Sequence, residues 1–119
     1  MSSEPRQWLF RIRHIINAIQ QVQHFTSGAT YDEFAANAMM VAAVARYIEI
    51  VGEASRYVPN ELVNRDSSIP WRKMRAMRNV LIHEYERVNL QILWSTATED
   101  LPALLPKLKA LLEGEEASP

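Results

Sequence analysis

The segment 77–85, MRNVLIHEY, places three chemically capable side chains close together: Arg78, His83 and Tyr85. A histidine can act as a general base and accept the proton of a ribose 2′-hydroxyl, and an arginine can stabilise the negative charge that develops on a phosphate. These residue types therefore suit the cleavage of RNA.

The spacing within this segment leaves the arrangement of the pair open. On a regular helix Asn79 and His83 share one face, whereas Arg78 lies about 140° from His83. The arginine can reach around the helix, the helix can loosen at its end, or two copies of the chain can meet across a dimer axis. Without further information, an Arg78 paired with an acid and a His83 that caps the helix C-terminus explain the same residues.

The segment is also locally basic. Residues 71–83, WRKMRAMRNVLIH, contain four bases and no acid, in a chain whose formal net charge is -1. Arg72, Lys73 and Arg75 are therefore candidate contacts for RNA phosphates, although a solvated helix face is an equal alternative. Glu84 and Glu86 oppose the approach of a phosphate.

Composition excludes several other chemistries. The chain has no cysteine and only three glycines in 119 residues, which rules out thiolate catalysis, zinc–thiolate sites and a glycine-rich phosphate loop. His14 and His24 have no partner at metal-ligand spacing, so both are interpreted as surface or boundary residues, and no metal site is predicted. Glu49 and Glu53, four residues apart in an apolar helix, either pair with arginines or orient a catalytic base.

The elements that must position these residues are all helices. Apolar residues at three- and four-residue intervals predict a helix over about 5–25, and a second one from Asp32 to Pro59 that would be about 37 Å long. Such a helix implies an elongated bundle and lies either at its centre or against a second subunit. A polar connection over 60–69, with one helical turn over 61–65, leads to a third helix from Pro70 to Tyr85.

The last predicted helix runs from about Asn89 to Glu113. Pro102 and Pro106 remove two backbone donors, so a bend or break is expected near residues 99–100, and Gly114 is expected to end the helix. The prediction is an all-α, antiparallel four-helix bundle with an extra short helix. Residues 1–113 form a single domain, and residues 114–119 form a flexible acidic tail.

The N-terminal segment mixes charges with apolar residues, and no uncharged stretch of 18 residues occurs. A secretory leader and a membrane span are therefore not expected, and the location is expected to be cytoplasmic.

The chain resembles the HEPN superfamily, in particular its DUF86 or HepT-like branch, whose mark is the pattern Arg, four residues, His, one residue, Tyr. Here the pattern is Arg78-NVLI-His83-Glu84-Tyr85. The similarity extends over about residues 8–112 and includes four further pieces in the same order: IVGEA at 50–54, IPWR at 69–72, LW at 93–94 and DLP at 100–102.

This resemblance implies a HEPN-like helical bundle that forms a homodimer and acts as a metal-independent endoribonuclease without a cofactor. It further implies the toxin of a type II/VII-like toxin–antitoxin system, with the two Arg-His sets in a cleft at the dimer interface. The implied partner, besides RNA, is a nucleotidyltransferase-fold antitoxin, and no membrane partner is implied.

The resemblance assigns roles to particular residues. Arg78 and His83 are the catalytic pair, Asn79 is a polar support, and Tyr85 is the residue to which the antitoxin would transfer AMP. Glu53 is a second candidate support because of its spacing on the apolar helix. Added phosphates would bring negative charge to the place where RNA phosphates must bind. Alternatively, Tyr85 packs at the helix end.

The chain departs from the family pattern just after Tyr85. Relatives often continue with an aromatic residue, a glycine and an aspartate, whereas this chain has Glu86, Arg87 and Asn89. A second interpretation is therefore a non-catalytic subunit that docks a nucleotidyltransferase, and a third is a simple helical dimerisation module.

Overall fold

The computed structural model describes residues 8–65, 67–83 and 89–116, with residues 82, 83, 115 and 116 described by their backbone only. The described chain is helical and contains no strand. In chain order the helices are α1 (Trp8–Thr26), α2 (Tyr31–Ala36), α3 (Ala38–Ser55), α4 (Asn60–Arg65), α5 (Trp71–His83), α6 (Leu90–Ser95), a π-helical segment (Thr96–Asp100) and α7 (Leu101–Glu116). The all-α bundle predicted from the sequence is confirmed.

The prediction of one continuous helix from Asp32 to Pro59 is wrong, because the chain breaks at Asn37. This residue has extended backbone angles, φ −110° and ψ 95°, and its side chain accepts a hydrogen bond from the Met40 backbone. A capping box between Thr30 and Glu33 starts the short helix α2 in the same way. Asparagine and threonine side chains accept hydrogen bonds from the backbone N–H groups at the start of a helix. Two separate helices, α2 and α3, therefore replace the one long helix.

In place of the bend or break expected near residues 99–100, the structure has a π-helical segment before the prolines. The Leu101 backbone N–H donates to the Thr96 carbonyl, one residue further back than in an α-helix. Thr96 and Thr98 donate their hydroxyls to the carbonyls four residues earlier. The helix widens here and continues as α7 past Gly114 to Glu116, so the glycine does not end it as predicted.

Helix α3 lies at the centre of the bundle, in contact with both α1 and α5, and α7 packs against α1. Its residues Val44, Ile48 and Val51 are almost fully buried. From α5, Trp71, Met74 and Leu81 are buried in the core, while Met77 packs partly buried against it. The molecule measures 51 × 29 × 22 Å, which confirms the elongated shape.

No helix in the described ranges is both long and apolar enough to cross a membrane.

Candidate functional site

The candidate site is built on the crossing of α3 and α5 at Gly52. A Cβ atom at this position would meet the Cβ of Arg78 and would lie 2.7 Å from the Met74 carbonyl oxygen. Only glycine therefore permits this close approach without a shift of one helix. The crossing sets Arg78 directly against α3.

The guanidinium of Arg78 is held on two sides. Its Nε lies 2.8 Å from Oε1 of Glu53 on α3, and its Nη1 donates a 3.1 Å hydrogen bond to Oδ1 of Asn79. The Arg78 side chain is 24% exposed and that of Glu53 is 38% exposed, so solvent reaches the pair. Glu53 and Asn79 together fix the direction of the arginine.

Arg78 is paired with an acid, Glu53, as one of the interpretations of the helical spacing expects. Arg78 reaches around α5 as far as Asn79, which shares a face with His83 one turn further along the helix, about 5–6 Å away. The backbone of His83 ends α5. The His83 side chain, and Tyr85 with Glu84 and Glu86, lie outside the described residues.

Glu53 and Glu49 both pair with arginines, as one of the two sequence interpretations expects. Glu49 forms an ion pair with Arg46, three residues earlier on α3. Glu53 is paired with Arg56 at 3.3 Å as well as with Arg78, and the Tyr57 hydroxyl donates to its Oε2 at 3.5 Å. Among the described side chains, Glu53 therefore contacts two arginines and a tyrosine.

A solvent-open cleft of about 300 Å³ lies beside this pair, between α1 and α5, with α3 as its floor. Its lining residues come from all three helices: Arg11, His14, Arg46, Glu49, Ile50, Glu53, Ala54 and Arg78. Sequence reasoning missed Arg11 and Arg46 and treated His14 as an ordinary surface residue. The available signal was the stripe on α3, where 46, 49, 50 and 53 recur at helical spacing.

The three predicted RNA contacts on α5 differ in their surroundings. Arg72 and Lys73 are exposed. Arg75 is partly buried, and its Nε donates a 3.1 Å hydrogen bond to the Ser55 carbonyl at the end of α3. Arg75 therefore fastens α5 to α3, whatever else it contacts.

Within the described ranges, no group of three or more His, Asp or Glu side chains is arranged to hold a metal ion.

The comparison with protein families identifies the class. Residues 15–111 match the family model described as ribonuclease HepT-like. The chain belongs to this family, and the match covers the Gly52 crossing, Glu53 and the whole of α5.

Individual relatives agree with the family match. The chain is 38% identical to a probable ribonuclease HepT of Thermococcus cleftensis over 84% of this chain and 91% of that protein. It is 39% identical to a candidate RNase of Methanocaldococcus jannaschii, over 76% and 83% of the two chains. A candidate RNase of Caldanaerobacter subterraneus is 32% identical over 94% and 97%. No solved structure matches the chain.

Proposed function

We propose that this protein is a metal-independent endoribonuclease and the toxin of a toxin–antitoxin pair, with Arg78 and His83 as its catalytic residues. The observation that carries the proposal is the fixed position of Arg78, which Glu53 and Asn79 hold towards the face of α5 that includes His83. Membership of the ribonuclease HepT-like family supports the reaction class.

The proposed reaction begins when His83 accepts the proton of a ribose 2′-hydroxyl. The 2′-oxygen then bonds to the adjacent phosphorus, and the bond from phosphorus to the 5′-oxygen breaks. The 5′-oxygen takes a proton from a water molecule, and the hydroxide that remains takes the proton held by His83, which restores the water and the neutral histidine. The products carry a 2′,3′-cyclic phosphate and a 5′-hydroxyl.

Arg78 stabilises the additional negative charge on the phosphate during this step. A guanidinium carries several N–H donors in a planar fork. Among the described residues, none accepts a hydrogen bond from Nη2 of Arg78, so these donors remain for the phosphate. Glu53 is a positioning residue, because it contacts Arg78 on the side that faces α3.

The direct test incubates labelled single-stranded RNA with the purified protein in excess chelator. The wild type should release fragments that end in a 2′,3′-cyclic phosphate, and His83→Ala should lower the rate at least about 100-fold. His24→Ala, which removes an exposed histidine at the end of α1, should cleave as the wild type does. If the wild type and His83→Ala are equally inert, the enzyme proposal is wrong and a subunit that only docks a nucleotidyltransferase explains the family match.

We further propose that the protein is a homodimer joined along the outer side of α5. Ala76 and Asn79 are exposed there, and Val80 leaves 38% of its surface in solvent. Their spacing of three and four residues is that of a helix face able to pack on its own copy. Val80→Glu should convert the dimer to a monomer in sedimentation velocity, whereas Met39→Glu, at a side chain that is 83% exposed on α3, should not. A monomeric wild type would contradict this proposal.

The proposed antitoxin is a nucleotidyltransferase-fold protein that transfers AMP to Tyr85. Intact-mass spectrometry after co-expression with this proposed antitoxin should show added AMP, and Tyr85→Phe should remove it. An unmodified chain in a neutralised complex would show that the antitoxin blocks the site sterically instead.

A further inference from the structure

We infer that the cleft between α1 and α5 binds the phosphate backbone of single-stranded RNA through Arg11 and Arg46, in addition to Arg78. This inference rests on the proposed ribonuclease function, and it adds α1 and α3 to the substrate-binding surface. Neither the family pattern nor the basic stretch on α5 includes Arg11 or Arg46.

The first observation is that arginines from three different helices line one cleft. Arg11 on α1, Arg46 on α3 and Arg78 on α5 line the same cleft of about 300 Å³. Arginines from three helices therefore share one cleft in a chain whose formal net charge is -1. Repulsion among like charges makes such a cluster unfavourable unless an anion or nearby acids compensate it.

The second observation is that the cleft stays positive after its own acids are counted. Glu49 is paired with Arg46, and Glu53 is paired with both Arg78 and Arg56. Among the residues that line the cleft, three arginines therefore stand against two glutamates. The excess of positive charge favours a polyanion over a neutral ligand.

The third observation concerns Arg11, which no described carboxylate pairs with. Its guanidinium carbon instead lies 4.1 Å from the centre of the Tyr57 ring. This cation–π contact holds the side chain at the cleft wall while leaving the N–H donors at the edge of the guanidinium available. Tyr57 in turn contacts Glu53 through its hydroxyl, so Arg11 and Arg78 are tied to one network.

Phosphate fits these donors because a guanidinium fork binds two of its oxygens at once. Arg78 is the proposed contact to the phosphate that reacts, and the cleft continues from it along the stripe of α3 towards Arg46. A flanking phosphate of the same strand would therefore lie over α3.

The test measures binding of a fluorescein-labelled RNA whose 2′-hydroxyls are methylated, so that no cleavage occurs. Fluorescence anisotropy is recorded at several salt concentrations for the wild type, Arg11→Gln, Arg46→Gln and Lys109→Gln, the last an exposed charge on α7. Each arginine variant should weaken binding about 5- to 10-fold and reduce the salt slope by about 0.7. Lys109→Gln should change neither quantity, and circular dichroism checks that every variant is folded.

A further variant, Glu49→Gln, should change RNA binding in the opposite direction. Glu49→Gln removes the acid that competes for Arg46, so it should tighten RNA binding several-fold as Arg46→Gln weakens it. A purely structural role for the Arg46–Glu49 pair would make both variants change in the same direction or not at all, which would overturn the inference.

The remaining outcomes separate this inference from the ribonuclease proposal. If Arg11→Gln and Arg46→Gln bind RNA as the wild type does while His83→Ala still abolishes cleavage, the cleft inference is wrong and the enzyme proposal stands. If the wild type binds RNA through these arginines and does not cut it, the enzyme proposal fails and the cleft inference stands. A wild type that does not bind RNA at all contradicts both.

Discussion

Two clefts of equal volume, each about 300 Å³, flank helix α5, and their linings have opposite chemistry. The cleft towards α1 is lined by three arginines, two glutamates and a histidine. The other lies towards α7 and the π-helical segment, and its lining is mainly apolar, including Met74, Met77, Leu101 and Leu104. Size therefore does not distinguish the two sites. Positive charge exceeds negative charge only in the lining of the cleft towards α1, because Lys73 and Lys107 in the other lining are matched by Glu99 and Asp100.

The charged cleft and the apolar cleft are lined by different sides of the same helix, α5. Met77 lines the apolar cleft and Arg78 the charged one, although they are adjacent in sequence. A step of one residue turns the direction of the side chain by about 100° on a helix. The close contact at Gly52 then decides which side of α5 faces α3.

The sharpest test of this division compares alanine substitutions at the adjacent residues Arg78 and Met77. Arg78→Ala should lower RNA cleavage at least about 100-fold, because it removes the charge that we propose stabilises the transition state. Met77→Ala should leave cleavage nearly unchanged but lower the free energy of unfolding by about 1–2 kcal/mol, less than a fully buried methionine costs. Equal loss of cleavage in both variants would show that the two sides of α5 are not functionally separate.

A substitution at Gly52 should disturb the crossing of α3 and α5, the two helices that contribute to both clefts. Gly52→Ala adds a methyl group where Met74 and Arg78 leave no room, so α5 must shift, at a cost of about 1–3 kcal/mol in urea unfolding. Cleavage should fall as well, because Arg78 moves with α5.

Gly114 provides the matched control. A Cβ at Gly114 meets nothing within 4 Å, and Gly114→Ala should stabilise α7 by up to about 1 kcal/mol. If both glycine variants gain stability, the close approach of α3 and α5 does not depend on Gly52.

The charged side alone is tested at Glu53. Glu53→Gln keeps the size of the side chain but removes the charge that orients Arg78, so kcat for RNA cleavage should fall about tenfold while KM changes less. Glu53→Asp should restore part of the loss.

The control for this experiment is Glu113→Gln, which removes an exposed carboxylate on α7. It should leave kcat and KM unchanged. A Glu53→Gln enzyme with normal kcat would assign the ion pair a role in stability only.

The smallest effects are expected at Arg72 and Arg75, which stand near the edge of the charged side. Arg75→Gln loses the hydrogen bond to the Ser55 carbonyl and should lower the free energy of unfolding by about 1 kcal/mol. Arg72→Gln, at an exposed residue, should change it by less than about 0.5 kcal/mol. RNA binding should weaken about two- to threefold for Arg72→Gln. These predictions would be contradicted if Arg72→Gln lowered the free energy of unfolding and Arg75→Gln did not.

The sequence by itself determined the helical class, the family and the segment that carries the candidate chemistry. Apolar residues at three- and four-residue intervals depend only on the period of the helix, so they indicated the main helices. The expectation of an irregular segment near residues 99–100 came instead from the backbone donors that Pro102 and Pro106 lack. The interruption at Asn37 escaped this reasoning because the apolar pattern continues through it. Its cause is local, since the asparagine side chain satisfies the start of α3.

The tertiary structure decided which of the polar residues act together. Glu53 and Arg78 are separated by 25 positions in the chain, and their contact exists because Gly52 lets two helices touch. Arg11 entered the cleft in the same way, since only the packing of α1 beside α3 brings it to the ring of Tyr57. Helical periodicity describes one element at a time, whereas contacts between elements depend on the shape and volume of the surfaces that meet.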